Sequence, residues 1–373
     1  MKIPVSQPLI GDNEKKLINE AMDSKEISGF CGEFIDKFEK GFAKYSDCAY
    51  GVSTTSGTTA LQLALATLKI GPGDEVLAST FTNMATFFAI LYQGAKPIPI
   101  DIEPDTWNLN PSLLEKKITP RTKAILVVHI YGHPADMDPV VAIAKKYNLF
   151  IIEDCAEAHG AEYKGRKAGS LGDIGCFSFY ANKIITTGEG GMITTNNKRY
   201  ADRARMLKSL AFGKKNKFMH QDIGFNFRMT NLQAALGCAQ LKKIEFVINK
   251  KRDIAKFYLK HLSDVKDLQL PVEKSYAKNV YWMFHVVLKG SLKNKRHILT
   301  AALRKRGIDT REAFVPYNGQ EIFIKRGLTR KSDCPLANIA GNNGFYLPSG
   351  PILSLKELFY VVNNIKNLIN HIQ

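Results

Sequence analysis

The sequence predicts an α/β protein with a mostly parallel sheet in a large domain and a small α/β domain at its C-terminal end. Between about residues 49 and 195, short apolar runs alternate with helical patterns, as in a parallel sheet with helices on both faces. After Gly191 this alternation stops, and longer helical patterns follow. With 373 residues, 45% of them hydrophobic, the chain is long enough for two domains, which we place at residues 1–240 and 241–373.

Five short aliphatic runs are the predicted strands of the large domain. They are Ala49–Val52, Glu75–Ala78, Pro97–Ile100, Ala124–Val128 and Leu149–Ile152. Between them, Ser56 precedes an apolar helix over Ala60–Leu68, and residues 138–147 carry an apolar stripe at helical spacing. In the remaining part we predict a long helical region from Asn231 to about His261, a strand over Tyr281–Leu288, and helices over His297–Arg306 and Leu355–Ile372.

The composition has a large excess of positive charge. With 52 Lys and Arg against 35 Asp and Glu, the formal net charge is +17. The basic clusters lack the interleaved aromatic residues of a single-strand binding surface and match no helix-turn-helix or zinc-finger spacing, so we predict no nucleic-acid partner. Trp107 and Trp282 are interpreted as packing residues rather than base-stacking platforms. A solvated lysine-rich surface and the attraction of small anionic substrates both remain open.

The sequence pattern disfavours metal, disulfide and membrane functions. Its six cysteines form no C-x-x-C pair, which argues against a zinc site and a disulfide framework. His129 and His133 are separated by Ile-Tyr-Gly, which indicates a strand end and a loop rather than a shared helix face, so we predict no metal. We also predict no signal peptide and no membrane span, and expect a cytoplasmic protein.

Lys183 is the main candidate for a catalytic residue. It follows the strand-like run Cys176–Tyr180 and precedes a glycine-rich turn, so its amine is presented from the end of a rigid element. A lysine that bonds covalently to an aldehyde must be partly desolvated, or held near positive charge, so that the neutral amine is available. A lysine in this setting is more often structural than catalytic. The residues around it therefore decide between these two interpretations.

Carboxylates follow the last predicted strand of the large domain. The segment Glu153–Gly160 begins at the sheet edge where ligands bind in open α/β folds. A carboxylate at that edge can pair with a protonated pyridine nitrogen, and the cationic ring then withdraws electrons from a neighbouring carbanion. A helix cap is an equally good interpretation of Asp154 taken alone.

Ser56, Gly57 and Thr58 form a candidate phosphate site at the start of a helix. Backbone N–H groups, hydroxyls and the positive end of the helix dipole all suit an anion there, although a plain N-cap explains the same residues. The other glycine-rich segments lack the third glycine of a dinucleotide fingerprint and the Lys-Ser/Thr of a P-loop. Dehydrogenase and ATPase functions are therefore disfavoured.

In their order and spacing, these segments resemble the DegT/DnrJ/EryC1/StrS family of nucleotide-sugar aminotransferases. The matching segments are S-G-T-T-A-L from Ser56, V-H-I-Y-G-H-P-A-D-M from Val128, E-D-C-A-E-A-H-G from Glu153, F-S-F-Y-A-N-K from Phe177 and G-F-N-F-R-M-T-N-L from Gly224. The similarity extends from about Pro4 to the C-terminus. It implies the aspartate aminotransferase-like fold type I of pyridoxal phosphate (PLP)-dependent transferases, with PLP as the cofactor.

The resemblance also implies a role for individual residues. Lys183 matches the lysine that carries the cofactor and moves the proton, Asp154 the partner of the pyridine nitrogen, and Glu157 the residue at the ring hydroxyl, which is often Gln in relatives. Asn226 matches an asparagine that reaches the cofactor phosphate of a neighbouring subunit, which implies a homodimer with shared active sites. The residues expected at the phosphate are Gly57, Thr58 and Ser178. The residues expected to contact substrate are Ser56, Asn83, His159, Arg228, Arg311 and Tyr317.

Three segments, Gly132–Pro134, Tyr281–Met283 and Gly307–Arg311, look like the perosamine synthase branch of the family. The resemblance implies transfer of an amino group from L-glutamate to C4 of GDP-4-keto-6-deoxymannose, for O-antigen or other surface glycans. Asn83 stands where relatives carry an aromatic residue over the cofactor ring, and Tyr317 begins a Tyr-Asn-Gly where that branch has a Leu-His pair.

Several alternatives therefore remain. The substrate could be a dTDP-linked 4-keto-6-deoxyhexose, or the amino group could go to C3 of a 3-keto sugar. Removal of a sugar hydroxyl is disfavoured, because relatives with that chemistry have histidine in place of the lysine that stands at position 183. A regulatory or sensory binding protein is the alternative of another functional class.

Overall fold

A seven-stranded sheet organises the larger part of the protein in the computed structural model, which describes residues 2–213, 216–220 and 222–372. The strands of the chain are β1 Tyr50–Thr54, β2 Glu75–Ser79, β3 Lys96–Ile100, β4 Thr122–Val128, β5 Phe150–Asp154, β6 Glu162–Tyr163, β7 Arg166–Lys167, β8 Ile174–Ser178, β9 Gly191–Thr195, β10 Leu268–Gln269, β11 Ala277–Lys278, β12 Phe284–Leu288, β13 Arg311–Glu312 and β14 Gly344–Leu347. The α-helices are α1 Asp12–Asp23, α2 Glu33–Tyr45, α3 Gly57–Thr67, α4 Ala85–Tyr92, α5 Met137–Tyr147, α6 Lys198–Lys208, α7 Asn231–Leu241, α8 Ile244–Leu262, α9 Arg296–Lys305, α10 Glu321–Lys325, α11 Pro335–Asn343 and α12 Leu355–Ile372.

The order of the large sheet is β1-β9-β8-β5-β4-β2-β3. The pairs from β8 through β5, β4 and β2 to β3 are parallel, whereas β9 runs antiparallel to both of its neighbours. Because parallel strands end at the same edge, the residues that follow β2, β4, β5 and β8 meet there. This edge carries the candidate site described below.

The predicted strands of the large domain are confirmed, with shifts of one or two residues at their ends. The helical region predicted over Asn231–His261 is confirmed, and the structure divides it into two helices, α7 and α8. Between them the backbone of Lys243 leaves the helical region, with φ −113° and ψ 9°. Its side-chain Nζ donates to the carbonyl of Leu9 at 2.9 Å and pairs with Glu14 at 2.5 Å.

A second, four-stranded sheet of order β10-β12-β14-β13 has its own apolar core, to which α8, α9 and α12 contribute. The strand predicted over Tyr281–Leu288 begins only at Phe284, because Tyr281 adopts a left-handed conformation with φ 48°. Ile3 also packs in this core and forms a bridge with Ile308, so the second unit includes residues from the start of the chain. The division at residues 240 and 241 remains a proposal. None of the described helices is long and apolar enough to cross a membrane.

Candidate active site

A cavity of about 360 Å³ opens at the carboxyl edge of the large sheet. Its walls come from the ends of β4, β5 and β8, from the start of α3, and from β13 and β14 of the second sheet. The structure brings together there many of the residues expected from the sequence. Those that line the cavity are Ser56, Gly57, Thr58, Asn83, Asp154, Glu157, Ser178, Lys183 and Arg311.

Lys183 presents its amine to this cavity. Its backbone N–H donates to the carbonyl of Tyr180 at 2.9 Å, which fixes the turn after β8. Burial lowers the pKa of the Lys183 amine, while the nearby carboxylates of Glu157 and Asp154 act in the opposite direction. The net lowering increases the fraction of neutral amine, which is the form that attacks an aldehyde.

Asp154 is the last residue of β5, and its carboxyl group faces the same cavity. One oxygen accepts a hydrogen bond from the Thr86 hydroxyl at 2.9 Å, and the other accepts from the backbone of Ala156 at 3.1 Å. Burial nevertheless raises the pKa of Asp154. A carboxylate with few donors in a buried position gains most from a cationic partner, and a protonated pyridine nitrogen is such a partner.

Glu157 lies one turn beyond Asp154 and is 4% exposed. Its Oε2 accepts a hydrogen bond from the backbone N–H of Tyr131 at 2.7 Å. Burial raises the pKa of Glu157 to about 7, although the positive charge of Lys183 acts to lower it. This carboxyl group therefore changes its protonation state in the neutral range.

The opposite end of the cavity is built for an anion. Ser56 caps α3 by accepting a hydrogen bond from the backbone of Thr59 at 3.2 Å, which leaves the first turn of the helix directed at the cavity. A Cβ at Gly57 would come within 2.6 Å of the Ser178 Cβ, so only glycine allows α3 to approach β8 this closely. The helix dipole adds positive potential at this point.

These three features fit a phosphorylated pyridine aldehyde. The Lys183 amine suits the aldehyde carbon, the buried carboxylate of Asp154 suits the ring nitrogen, and the start of α3 suits the phosphate. The fit rests on the side chains that line the cavity and on Gly57, where a larger residue would collide with β8.

Comparison with known proteins gives the same result. The sequence matches the DegT/DnrJ/EryC1/StrS aminotransferase family over residues 8–366. It is 41% identical to GDP-perosamine synthase of Escherichia coli O157:H7 over 97% of both chains. It is 40% identical to GDP-perosamine synthase of Caulobacter vibrioides over 97% of this chain and 96% of that protein. The crystal structure of DesV from S. venezuelae, 34% identical, covers 95% of this chain and 94% of its own with a TM-score of 0.89.

The chain belongs to the DegT/DnrJ/EryC1/StrS aminotransferase family. It is a PLP-dependent sugar aminotransferase, and the expected fold, enzyme class and cofactor are confirmed.

Two residues expected to contact substrate lie outside the cavity of the aminotransferase. His159 is completely buried among the rings of Phe42, Phe177 and Phe179, and burial lowers its pKa to about 3. Tyr317 is also completely buried and stacks on Phe87 with ring centroids 4.0 Å apart. Their placement corrects the expectation of direct contact, because both side chains belong to the core behind the cavity.

Asn226 and Arg228 also lie away from the cavity within this chain. Asn226 is exposed and forms a bridge with Ser209, and the guanidinium of Arg228 sits 4.0 Å above the ring of Phe30. The role of Asn226 towards a neighbouring subunit therefore remains a prediction, as does contact of Arg228 with an anionic ligand.

Sequence reasoning missed three side chains of the site. Thr86 bonds Asp154 directly, Tyr346 lines the cavity from β14, and Trp282, interpreted as a packing residue, contacts Lys183. Thr86 lies three positions beyond Asn83, which was already a candidate residue of the site. Trp282 and Tyr346 come from the second sheet, and no local pattern connects them with Lys183.

His129, Glu153 and Cys155 lie close enough to suggest a metal site. The carboxylate of Glu153, however, already accepts hydrogen bonds from the backbone of Gly169, Leu171 and Gly172 at 2.7–2.8 Å and lies 2.9 Å from His129 Nε2. His129 Nδ1 is 3.1 Å from the backbone nitrogen of Ala135. We interpret the cluster as an internal clamp that fixes the loops behind β5.

Proposed function

We propose that this aminotransferase transfers an amino group from L-glutamate to C4 of a nucleotide-linked 4-keto-6-deoxyhexose, with GDP-4-keto-6-deoxymannose as the favoured acceptor. The observation that carries the proposal is the buried Lys183 amine in a cavity that is also lined by the carboxyl groups of Asp154 and Glu157 and by the start of α3. Identity of 40–41% with two GDP-perosamine synthases over nearly the whole chain supports the choice of sugar. The cytoplasm and surface-glycan synthesis are the setting that we propose.

PLP supplies, when it is bound, a carbon to which amines add and a ring that accepts electrons. The residues of this chain then have separate tasks. Asp154 would hold negative charge at the ring nitrogen, Gly57, Thr58 and Ser178 would orient the phosphate, and Lys183 takes up and returns the proton at its Nζ. Glutamate and the keto sugar occupy the same cavity in turn, so one lysine serves both half-reactions.

Arg311 is placed to attract both substrates. It lies on the short strand β13, is exposed, and lines the cavity. A dicarboxylate donor and a diphosphate-linked sugar are both anionic, and a guanidinium binds carboxylate and phosphate with paired hydrogen bonds. The net charge of +17 adds long-range attraction for the same substrates.

We further propose that the enzyme works as a homodimer with shared active sites. Phe218, Met219 and Ile223, close to Asn226 in the chain, are 79%, 63% and 84% exposed, which is unusual for large apolar side chains and typical of an interface. Mixing an inactive Lys183→Ala variant with an inactive Asn226→Ala variant tests this. Shared sites predict recovery of about a quarter of wild-type activity after subunit exchange, whereas independent sites predict none.

A panel of nucleotide-linked keto sugars tests the proposed substrate. Purified enzyme is incubated with L-glutamate and GDP- or dTDP-linked 4-keto-6-deoxyhexoses or 3-keto sugars, and products are identified by mass spectrometry and NMR. We expect amination at C4 of the GDP-linked sugar and none with Lys183→Ala. Preference for a dTDP-linked or a 3-keto sugar would replace the proposed substrate but keep the chemistry. Full activity of Lys183→Ala, or a colourless protein without PLP that binds duplex DNA, would contradict the proposal itself.

A further inference from the structure

The side chain of Trp282 makes two contacts with the loop that carries Lys183. Its indole Nε1–H donates a hydrogen bond to the backbone carbonyl of Asn182 at 2.8 Å. The Nζ of Lys183 lies 4.0 Å from the centroid of the same ring. The N–H lies in the ring plane and the amine lies over the ring face, so one side chain fixes both the backbone before Lys183 and the end of its side chain.

Trp282 is itself held in place from the second unit of the fold. It is 3% exposed, and its backbone carbonyl accepts a hydrogen bond from Lys251 Nζ at 2.9 Å. Lys251, in α8, is 2% exposed and also donates to the carbonyl of Ser349 at 3.0 Å. The ring is therefore a fixed surface, and the flexible side chain of Lys183 is the partner that moves.

The charged groups around Lys183 leave its amine without a close ionic partner. Asp154 and Glu157 influence it electrostatically, and His159 lies behind β8 with a strongly lowered pKa. In the described part of the chain, Lys183 forms no salt bridge with either carboxylate, since Asp154 is bonded to Thr86 and Glu157 to a backbone N–H. The ring face of Trp282 is the close contact that favours the ammonium form.

We propose that Trp282 is a positioning residue, which holds the amine of Lys183 on its ring face while that amine is protonated and not bonded to the cofactor. An aromatic face attracts an ammonium group without fixing the direction of its N–H bonds, so the amine can leave and return without breaking a directional hydrogen bond. The inference rests on the proposed function in one respect, namely that Lys183 carries PLP.

The pH dependence of Lys183 labelling in the cofactor-free protein tests the inference. An acylating reagent reacts with the neutral amine, and peptide mass spectrometry measures labelling at position 183 relative to its plateau at high pH. In Trp282→Leu we expect the midpoint to move to lower pH, so that relative labelling below the midpoint rises about threefold to tenfold, because the ring no longer favours the ammonium form. Trp282→Phe keeps a ring face, and its labelling midpoint should lie between those of the wild type and Trp282→Leu.

Trp107→Phe is the matched control, because Trp107 is also 3% exposed but contacts the rings of His285 and Tyr131 instead. Its labelling midpoint should equal that of the wild type. Circular dichroism confirms that each variant is folded. An unchanged or raised midpoint in folded Trp282→Leu, or in Trp282→Phe should the leucine variant not fold, overturns the inference.

Failure of the proposed function gives a different result. Borohydride reduction of the wild-type holoenzyme should attach the cofactor to Lys183. Attachment elsewhere contradicts the proposed function, whereas attachment at Lys183 together with an unchanged midpoint in the Trp282 variants contradicts only the role of Trp282.

Discussion

Replacing Glu157 by Gln removes a carboxyl group whose ionisation the fold opposes. Glu157 is 4% exposed, and Tyr131 supplies one backbone hydrogen bond to it at 2.7 Å. Burial raises its pKa from the ordinary 4.5 to about 7, against the effect of the Lys183 charge. The difference corresponds to about 3 kcal/mol, since one pKa unit is worth about 1.4 kcal/mol. Gln has nearly the same shape and retains an oxygen that accepts the Tyr131 hydrogen bond.

The effect of this substitution depends on pH in a defined direction. In the unfolded chain Glu157 loses its proton near pH 4.5, but in the folded protein it does so only near pH 7. Between these values the folded state binds more protons than the unfolded state, so the wild type loses stability as pH rises. Gln does not titrate. The variant should therefore match the wild type near pH 4.5 and exceed its free energy of unfolding by about 3 kcal/mol above pH 7.

Urea denaturation of the cofactor-free proteins at pH 5 and pH 8, at equal protein concentration, measures this difference. Glu153→Gln is the matched control from the preceding strand. Burial acts to raise the pKa of Glu153, but His129 and the backbone N–H groups of Gly169 and Gly172 lower it overall. The free energy of unfolding of Glu153→Gln should therefore be about 3–5 kcal/mol below that of the wild type at pH 8. If the free energy of unfolding of Glu157→Gln equals that of the wild type at pH 8, or exceeds it by the same amount at both pH values, the electrostatic cost assigned to Glu157 is wrong.

Substitutions of Gly57, Arg311 and Tyr317 test the site and the core behind it. Gly57→Ala should weaken PLP binding at least about tenfold in an absorbance titration, because the added Cβ lies 2.6 Å from a β8 side chain, whereas Gly71→Ala, with 3.6 Å to its nearest neighbour, should not. Arg311→Gln should lower kcat/KM for the nucleotide sugar about tenfold or more in steady-state assays, and an unchanged value would remove Arg311 from substrate binding. Tyr317→Ala should cost about 3–5 kcal/mol in urea denaturation, because the ring stacks on Phe87. Tyr317→Phe should leave stability and both KM values nearly unchanged, and a raised sugar KM would restore Tyr317 as a substrate contact.

Most strands of the large sheet, although not β9, were predictable from the sequence because they are apolar runs that are buried. Burial of every residue in β2 and β8 shows the pattern. The boundaries that were missed depend on distant contacts. The helical region breaks between α7 and α8 at Lys243, whose side chain bonds Leu9 and Glu14, and β12 starts late because Tyr281 is left-handed. The local sequence does not reveal these contacts.

The same difference between local sequence patterns and distant contacts separates the site residues that were predicted from those that were missed. Asp154 and Lys183 follow strands of one parallel sheet, so their order in the chain already places them at one edge. Trp282 reaches Lys183 from 99 positions further along the chain, through the packing of the second unit against the first. Tyr317 was misplaced for the opposite reason, because a polar tip gives no sign that the ring is completely buried against Phe87.

The electrostatics of the buried acids distinguish the site from the rest of the fold without reference to any motif. Glu14 and Glu153 are almost completely buried, but basic side chains and backbone N–H groups surround them, and the pKa of each is lowered. Asp154 and Glu157 are buried to a similar degree, yet their pKa values are raised, and that of Lys183 is lowered. The fold therefore disfavours the charged form of all three groups, which reduces the stability of the cofactor-free protein. A ligand with a cationic ring nitrogen and a carbon that bonds the amine relieves two of these costs at once, so we expect the residues that weaken the fold to be the ones that bind PLP.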